Sequence, residues 1–146
     1  MNKNTPIRVV LDTSILVAAA RSRRGACFAI LSSLPSPVFR PCLSVGLYTE
    51  WQSVLLRPEN LPPGETAEAA LGALRRLAAF CHLQEIHYLW RPFLSDPEDE
   101  FILELAFAAQ ADYIVTHNTL DFSGCERLGV TAITPRIFLT ITRKKP

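Results

Sequence analysis

Four places in the chain carry oxygen donors of the kind that bind hard cations and handle phosphates. Asp12-Thr13-Ser14 follows the apolar run Ile7-Arg8-Val9-Val10-Leu11. Glu50 stands inside a helix-patterned stretch. Asp96-Pro97-Glu98-Asp99-Glu100 opens another such stretch, and Asn118 and Asp121 follow a second apolar run, Tyr113-Ile114-Val115-Thr116. Converging carboxylates repel one another unless a cation sits among them. Oxygen-only ligands favour Mg²⁺ or Mn²⁺ over zinc. Such an ion takes one or two carboxylates and keeps several waters, which suits hydrolysis at a phosphoryl centre. Each place also has an ordinary use. Asp12 or Ser14 can cap the helix that follows. Acids at 96–100 suit a helix N-terminus, Glu50 a solvated helix face, and Asn118 and Asp121 a turn. Composition and spacing alone leave that choice open.

The elements that must position these residues follow from periodicity. Ile7 to Leu11 reads as a buried strand with a polar exit, and in an open α/β sheet ligands sit outside the carboxyl ends of the strands. Ser14 to Ala20 and Ala26 to Leu34 read as helices separated by the basic turn Arg21-Ser22-Arg23-Arg24-Gly25. Val38 to Cys42 is a second strand, with Pro41 weakening its end or placing it near an edge. Ser44 is placed to cap a helix reaching about Leu56, with Leu47, Trp51, Val54 and Leu55 on one face. Glu65 to Phe80 is a long amphipathic helix, with Ala67, Leu71, Leu74, Leu77, Ala78 and Cys81 expected inward. Gln84 to Leu89 reads as a third strand and Trp90 to Ser95 as a loop. A helix from Glu98 to Gln110 follows, then strands at Tyr113 to Thr116 and Val130 to Thr134. Pro135 starts a last helix to Thr142, and 143–146 is a frayed basic tail. Strands separated by helices predict a three-layer α/β/α fold: a central, mostly parallel sheet of about five strands flanked by helices.

Composition narrows the function further. At 146 residues and 49% hydrophobic, the chain suits one domain with a real core. No apolar run reaches the roughly 20 residues of a membrane span, and the first residues lack a signal-peptide pattern. The expected compartment is therefore the cytoplasm. The four cysteines, Cys27, Cys42, Cys81 and Cys125, form no CxxC pair and give neither a zinc signature nor a disulfide framework. Lysine occurs only at Lys3, Lys144 and Lys145, which disfavours P-loop or Schiff-base chemistry. The net charge of +1 gives no overall pull toward nucleic acid, so an acidic site facing a polyanion needs local basic flanks. Arg21, Arg23 and Arg24 are candidates for contacts to an RNA backbone. A solvated turn or a partner-binding patch accounts for them equally well.

In order along the chain, Val9-Val10-Leu11-Asp12-Thr13-Ser14, Leu43-Ser44 with Glu50, Leu55-Leu56-Arg57-Pro58-Glu59, Ser95-Asp96-Pro97-Glu98-Asp99-Glu100, Ala111-Asp112-Tyr113-Ile114-Val115-Thr116-His117-Asn118, Leu120-Asp121-Phe122 and Thr134-Pro135-Arg136-Ile137-Phe138-Leu139 form a set. This set resembles the PIN domain, and within it the toxin-like, VapC-type branch. The resemblance implies a Mg²⁺- or Mn²⁺-dependent ribonuclease acting on single-stranded or structured RNA through a metal-activated water. It implies Asp12 as the first metal ligand and Glu50 as the second acid. The third acid falls at Asp99 or Glu100. The family's fourth acid position holds Asn118, an amide, with Asp121 three residues on as a possible source of the charge. Thr116 and Ser14, with Asn118, take the place of groups that hold a water or phosphate beside the metal. The resemblance further implies a cognate antitoxin protein and a homodimer. The helix Glu65 to Phe80 is a candidate for dimer packing, although a core role suits it better.

Two other readings compete. A phosphotransfer or phosphatase domain also places an Asp at the end of its first strand. Such a domain needs a lysine directly after a late strand, where none stands, or a second Asp where Ser14 stands. A PIN-like module that binds RNA or protein and cleaves weakly is the other, kept open by Asn118 and by a Glu at position 100.

Overall fold

The computed structural model describes residues 5–86 and 97–144. The apolar run at its start forms β1 (Ile7–Leu11), buried throughout except at Arg8. Burial on both sides is what a central parallel strand requires. β2 (Phe39–Leu43), β3 (His82–Leu83), β4 (Tyr113–Val115) and β5 (Thr131–Ile133) lie parallel to it in the order β3-β2-β1-β4-β5. The helices are α1 (Thr13–Arg21), α2 (Ala26–Ser32), α3 (Val45–Leu55), α4 (Ala67–Ala79), α5 (Pro97–Ala108) and α6 (Pro135–Lys144). None of the described helices is long and apolar enough to cross a membrane.

Register assigns the two faces. Ile7 pairs with Phe39 and Val9 with Tyr113, so these residues share one side of the sheet. There α6 seats Phe138, edge-on to Phe39 at 5.0 Å and to Tyr113 at 6.4 Å between ring centroids. Val10 and Ile114 point the other way, where α5 buries Ile102, Leu103, Leu105 and Ala106. Arg8 closes the lower end of that side by donating from Nη1 to the Ala109 carbonyl at 2.9 Å. Helices thus cover both faces, as the element order predicts. All four cysteines are buried and free.

Several boundaries differ from expectation for identifiable reasons. The third strand is His82–Leu83 rather than the run beginning at Gln84. It pairs with Cys42–Leu43, and Gln84 N–H adds one bond to the Leu43 carbonyl before β2 runs out of partners. Residues 87–89 of the expected strand, the loop at 90–95, Asp96 and the tail residues 145–146 lie outside the described residues. Arg143 and Lys144 belong to α6 rather than to a frayed tail. In α4 only Leu74 is fully buried, Leu71, Leu77 and Ala78 are half-buried, and Ala67 is exposed, so the helix lies on the periphery of the core. Pro41 sits in β2 one strand in from the edge, but β3 reaches only Cys42 and Leu43, so β2 has no neighbour on that side at Pro41.

Candidate active site

Strand order fixes where a site can form. The chain moves from β1 outward through β2 to β3, then returns to the other side of β1 to lay down β4 and β5. The order reverses between β1 and β4, and the crevice at such a switch point is where open α/β sheets bind ligands. Asp12 follows β1 and Thr116 follows β4 at that crevice. Asp12 N–H donates to the Val115 carbonyl at 3.0 Å, and Thr116 N–H to the Ile133 carbonyl at 2.9 Å, so the sheet ladder fixes both backbones.

The Asp12 side chain is not spent on the helix. Asp12 occupies the N-cap position of α1, and its carbonyl accepts from Ile15 N–H, yet its carboxylate makes no capping bond. Ser44 and Thr66, at the starts of α3 and α4, do cap through their hydroxyls. Asp12 Oδ2 instead accepts from Thr116 Oγ1 at 2.8 Å and from Ser14 Oγ at 3.2 Å. Thr116 is fully buried and its Oγ1 also accepts from Asn118 N–H at 3.1 Å. One hydroxyl therefore ties the β4 exit loop to the β1 carboxylate.

A cavity of about 660 Å³ opens over this pair. Three carboxylates line it: Asp12 from β1, Glu50 from α3 and Asp99 from α5, with Ser14, Arg21 and His117 beside them. Glu50, half-buried, accepts from the buried Thr13 hydroxyl, which joins α3 to the first turn of α1. Arg21 lines the rim and donates from Nη2 to Asn60 Oδ1 at 3.0 Å; Asn60 is itself held by an Nδ2 bond to the Val54 carbonyl at 2.8 Å. His117 is exposed, with Nδ1 3.5 Å from Ser14 Oγ and Nε2 3.6 Å from Cys27 Sγ. Burial pushes the Cys27 thiol up from its ordinary value.

The expected site residues divide accordingly. Asp12, Ser14, Glu50, Asp99 and Arg21 share the cavity, and Thr116 supports it from beneath. Glu100 lies outside the cavity lining, and its charge, after burial, helps raise the carboxyl of Glu104 one turn on. Asn118 meets Thr116 through its backbone, while its exposed side chain is not among the cavity residues. Asp121 is exposed on the short 3-10 helix Thr119–Phe122 and also lies outside the cavity. Arg23 and Arg24 turn to two other surface depressions. Thr13, Asn60 and the Cys27–His117 contact are site features that sequence reasoning did not single out. Their partners come from other elements, and no local spacing announces them.

Among the described residues, no three His, Cys, Asp or Glu side chains form a ready-made metal cage. The cavity's donors are nevertheless carboxylates and hydroxyls, not thiolates. That chemistry fits a hard divalent ion bound through one or two carboxylates and waters, and does not fit a closed zinc site.

No curated protein was found to match the chain. The family model described as PIN domain matches residues 8–120, from the second residue of β1 through both strand exits. PIN domains are generally nucleases that use divalent metal ions. Spanning most of the sheet and every carboxylate of the cavity, that match establishes that the chain belongs to the PIN domain family.

Proposed function

We propose that the protein is a Mg²⁺- or Mn²⁺-dependent single-strand endoribonuclease, a VapC-like toxin of a type II toxin–antitoxin pair. The observation that carries this reading is the Asp12 carboxylate, released from capping and held by Thr116 and Ser14 at the switch-point crevice. Asp12 and Asp99 are the residues to hold the metal, with Glu50 as the second acid. When bound, the ion supplies Lewis-acid stabilisation of charge on the phosphoryl oxygens. The chain's own groups do the positioning. Thr116 fixes the rotamer of Asp12, and Thr13 fixes Glu50 across the cavity. Ser14, between Asp12 and His117, is placed to orient a water or a phosphate oxygen. Arg21, braced by Asn60, offers a cation at the rim for the backbone of an incoming strand. Val17, Val54 and Ile102 give the cavity an apolar wall.

The toxin reading adds a cytoplasmic antitoxin and a homodimer as proposals. It is supported by an apolar groove of about 480 Å³ bounded by Leu16, Phe28, Leu31, Leu74 and Leu77, which offers a protein partner a surface away from the acids. The test is direct. Wild type should cleave labelled single-stranded RNA with Mg²⁺ or Mn²⁺ and stop with EDTA. Asp12→Asn should lose at least about 100-fold in rate, beyond the cost of disturbing a ligand's support. Cleavage that survives this substitution belongs to a contaminant, and a wild type inert with both metals overturns the ribonuclease reading. Growth arrest on expression, relieved by Asp12→Ala and by the adjacent gene, tests the toxin role.

A further inference from the structure

Three arginines from distant parts of the sequence meet at a cleft that the acid cavity does not include. Arg24 precedes α2, and Arg136 and Arg143 stand on α6. All three line a surface cleft of about 260 Å³ between the two helices. On α6, Arg136 and Arg143 are seven residues apart and so fall on one stripe, with Thr140 between them. From α2 the cleft receives Ala26 and Ala29, with Gly25 just before them, and α6 adds Leu139 between its arginines. Among the described residues no carboxylate lines it and none of the three guanidinium groups has an acidic partner. Ordinary helix electrostatics explains Arg143, a cation in the last turn of α6. It does not explain Arg136 in the first turn, at the end of the dipole that disfavours a cation. Nor does it explain why three like charges converge with no acid beside them among the described residues.

Continuity with the acid cavity decides what the cleft faces. The basic turn 21–24 runs from one to the other: Arg21 lines the cavity and Arg24 the cleft. Helix α2 also borders both, since Cys27 touches the cavity's His117 while Ala26 and Ala29 face α6. Arg24 lies two residues before the start of α2, and Cys27 is the second residue of that helix. Planar guanidinium groups bind phosphate oxygens through paired N–H donors, and the cleft's continuity with a phosphodiester-cleaving cavity makes backbone phosphates the anions at hand.

We propose that the α2/α6 cleft is an exosite for backbone phosphates of the single-stranded RNA whose scissile bond lies in the acid cavity. The proposal rests on the ribonuclease reading for its register but not for its binding. Each phosphate contact on a single strand contributes about 0.7 to the slope of log K against log salt. Loss of three contacts therefore flattens the slope by about 2 and weakens binding about 100-fold at 0.1 M salt.

The experiment measures binding of RNA strands of about 4 and about 16 nucleotides to Asp12→Asn protein, with and without Arg24→Gln, Arg136→Gln and Arg143→Gln together. The expected result is a loss confined to the long strand, with the flatter salt slope, and the three Arg→Lys changes restore the slope because it counts charges. In the cleaving protein the same loss should appear in KM for the long strand. Single Arg136→Gln and Arg143→Gln variants, on exposed positions, should each show about a third of the slope change if the triple variant fails to fold. An unchanged slope for the long strand overturns the exosite, even where wild type cleaves RNA. Binding of anionic vesicles that needs the three arginines, with RNA binding unaffected, overturns it in favour of a membrane surface. A wild type that binds long RNA with the arginine-dependent slope but does not cleave leaves the exosite standing and removes the ribonuclease reading.

Discussion

Thr116 offers the sharpest separation of site chemistry from fold stability. Its hydroxyl donates to Asp12 Oδ2 at 2.8 Å and accepts from Asn118 N–H at 3.1 Å, and the side chain is completely buried. Thr116→Val keeps the shape and removes the hydroxyl. The lost bond to a carboxylate is worth about 1.5–3 kcal/mol. Asn118 is exposed, so water can meet its freed N–H, and the added methyl returns about 0.8 kcal/mol. The net loss is about 0.7–2.2 kcal/mol, a fall in Tm of roughly 2–7 °C for a chain of this size. Thr116→Ser keeps the hydroxyl and loses a buried methyl, for about 0.5–1.5 kcal/mol.

The two variants therefore overlap in stability and diverge in activity. Without the hydroxyl, Asp12 keeps only the longer bond from Ser14 to hold its rotamer. Removing such a supporting bond costs about 10–100-fold, or roughly 1.4–2.7 kcal/mol in the barrier. Cleavage of single-stranded RNA in saturating Mg²⁺, measured well below both melting points, should show Thr116→Val down by that factor and Thr116→Ser close to wild type. Equal loss in both variants would mean that activity follows stability rather than the hydroxyl. A Thr116→Val enzyme at wild-type rate would refute the positioning role outright.

Two further predictions follow from titrating groups. Burial first, then the Glu100 charge, pushes the Glu104 carboxyl above its ordinary value of 4.5. The folded chain then holds this proton to higher pH than the unfolded chain, so stability is lost as pH rises from the ordinary value through the raised one. Glu104→Gln should raise Tm relative to wild type more at about pH 7 than at about pH 4, by thermal melts; an equal gain at both would show that the effect is not ionisation. Burial also drives Cys42 up to about 11 and Cys81 up to about 12. In the native protein at about pH 8 neither thiol should react with a disulfide reagent, whereas both react in denaturant. Fast native labelling at either position, located by peptide mass, would contradict their burial.

What could be read from the sequence was the set of positions that the backbone alone determines. Asp12 is the first residue after one buried strand and Thr116 was read as the last residue of another, and a parallel sheet brings such exits to one rim whatever the side chains do. Ser44 was legible as a cap for the same reason. The third acid was not, because neighbouring residues on a helix point about 100° apart. Asp99 and Glu100 differ only in that angle, and the packing of α5 on the sheet sets it. Asp99 then meets the cavity, and Glu100 lies outside its lining, near enough for its charge to act on Glu104. The third strand was misplaced because its length is set by where β2 ends, not by the alternation of its own residues. The convergence of Arg24 with Arg136 and Arg143 arises only from the docking of α6 beside α2, and no local pattern encodes it.

The start of α1 shows how the fold and the site compete for one side chain. An Asp at an N-cap ordinarily contributes about 1 kcal/mol by accepting from the first turn. Here Asp12 has the N-cap backbone, φ −59° and ψ 145°, and makes no such bond. Its carboxylate is drawn to the other side by Thr116, a residue whose own hydroxyl is oriented by the backbone of Asn118. The helix thus forgoes a cap that it could have, and the interaction that replaces it ties α1 to β4 instead. A carboxylate optimised only for stability would not be arranged so. The residue at position 116 therefore decides which task Asp12 performs. Without its hydroxyl the carboxylate is free to return to the first turn of α1, stabilising the helix while withdrawing from the cavity. The same swing gives Thr116→Val a structural signature independent of rate: stronger protection of the first-turn amides of α1, readable by hydrogen exchange.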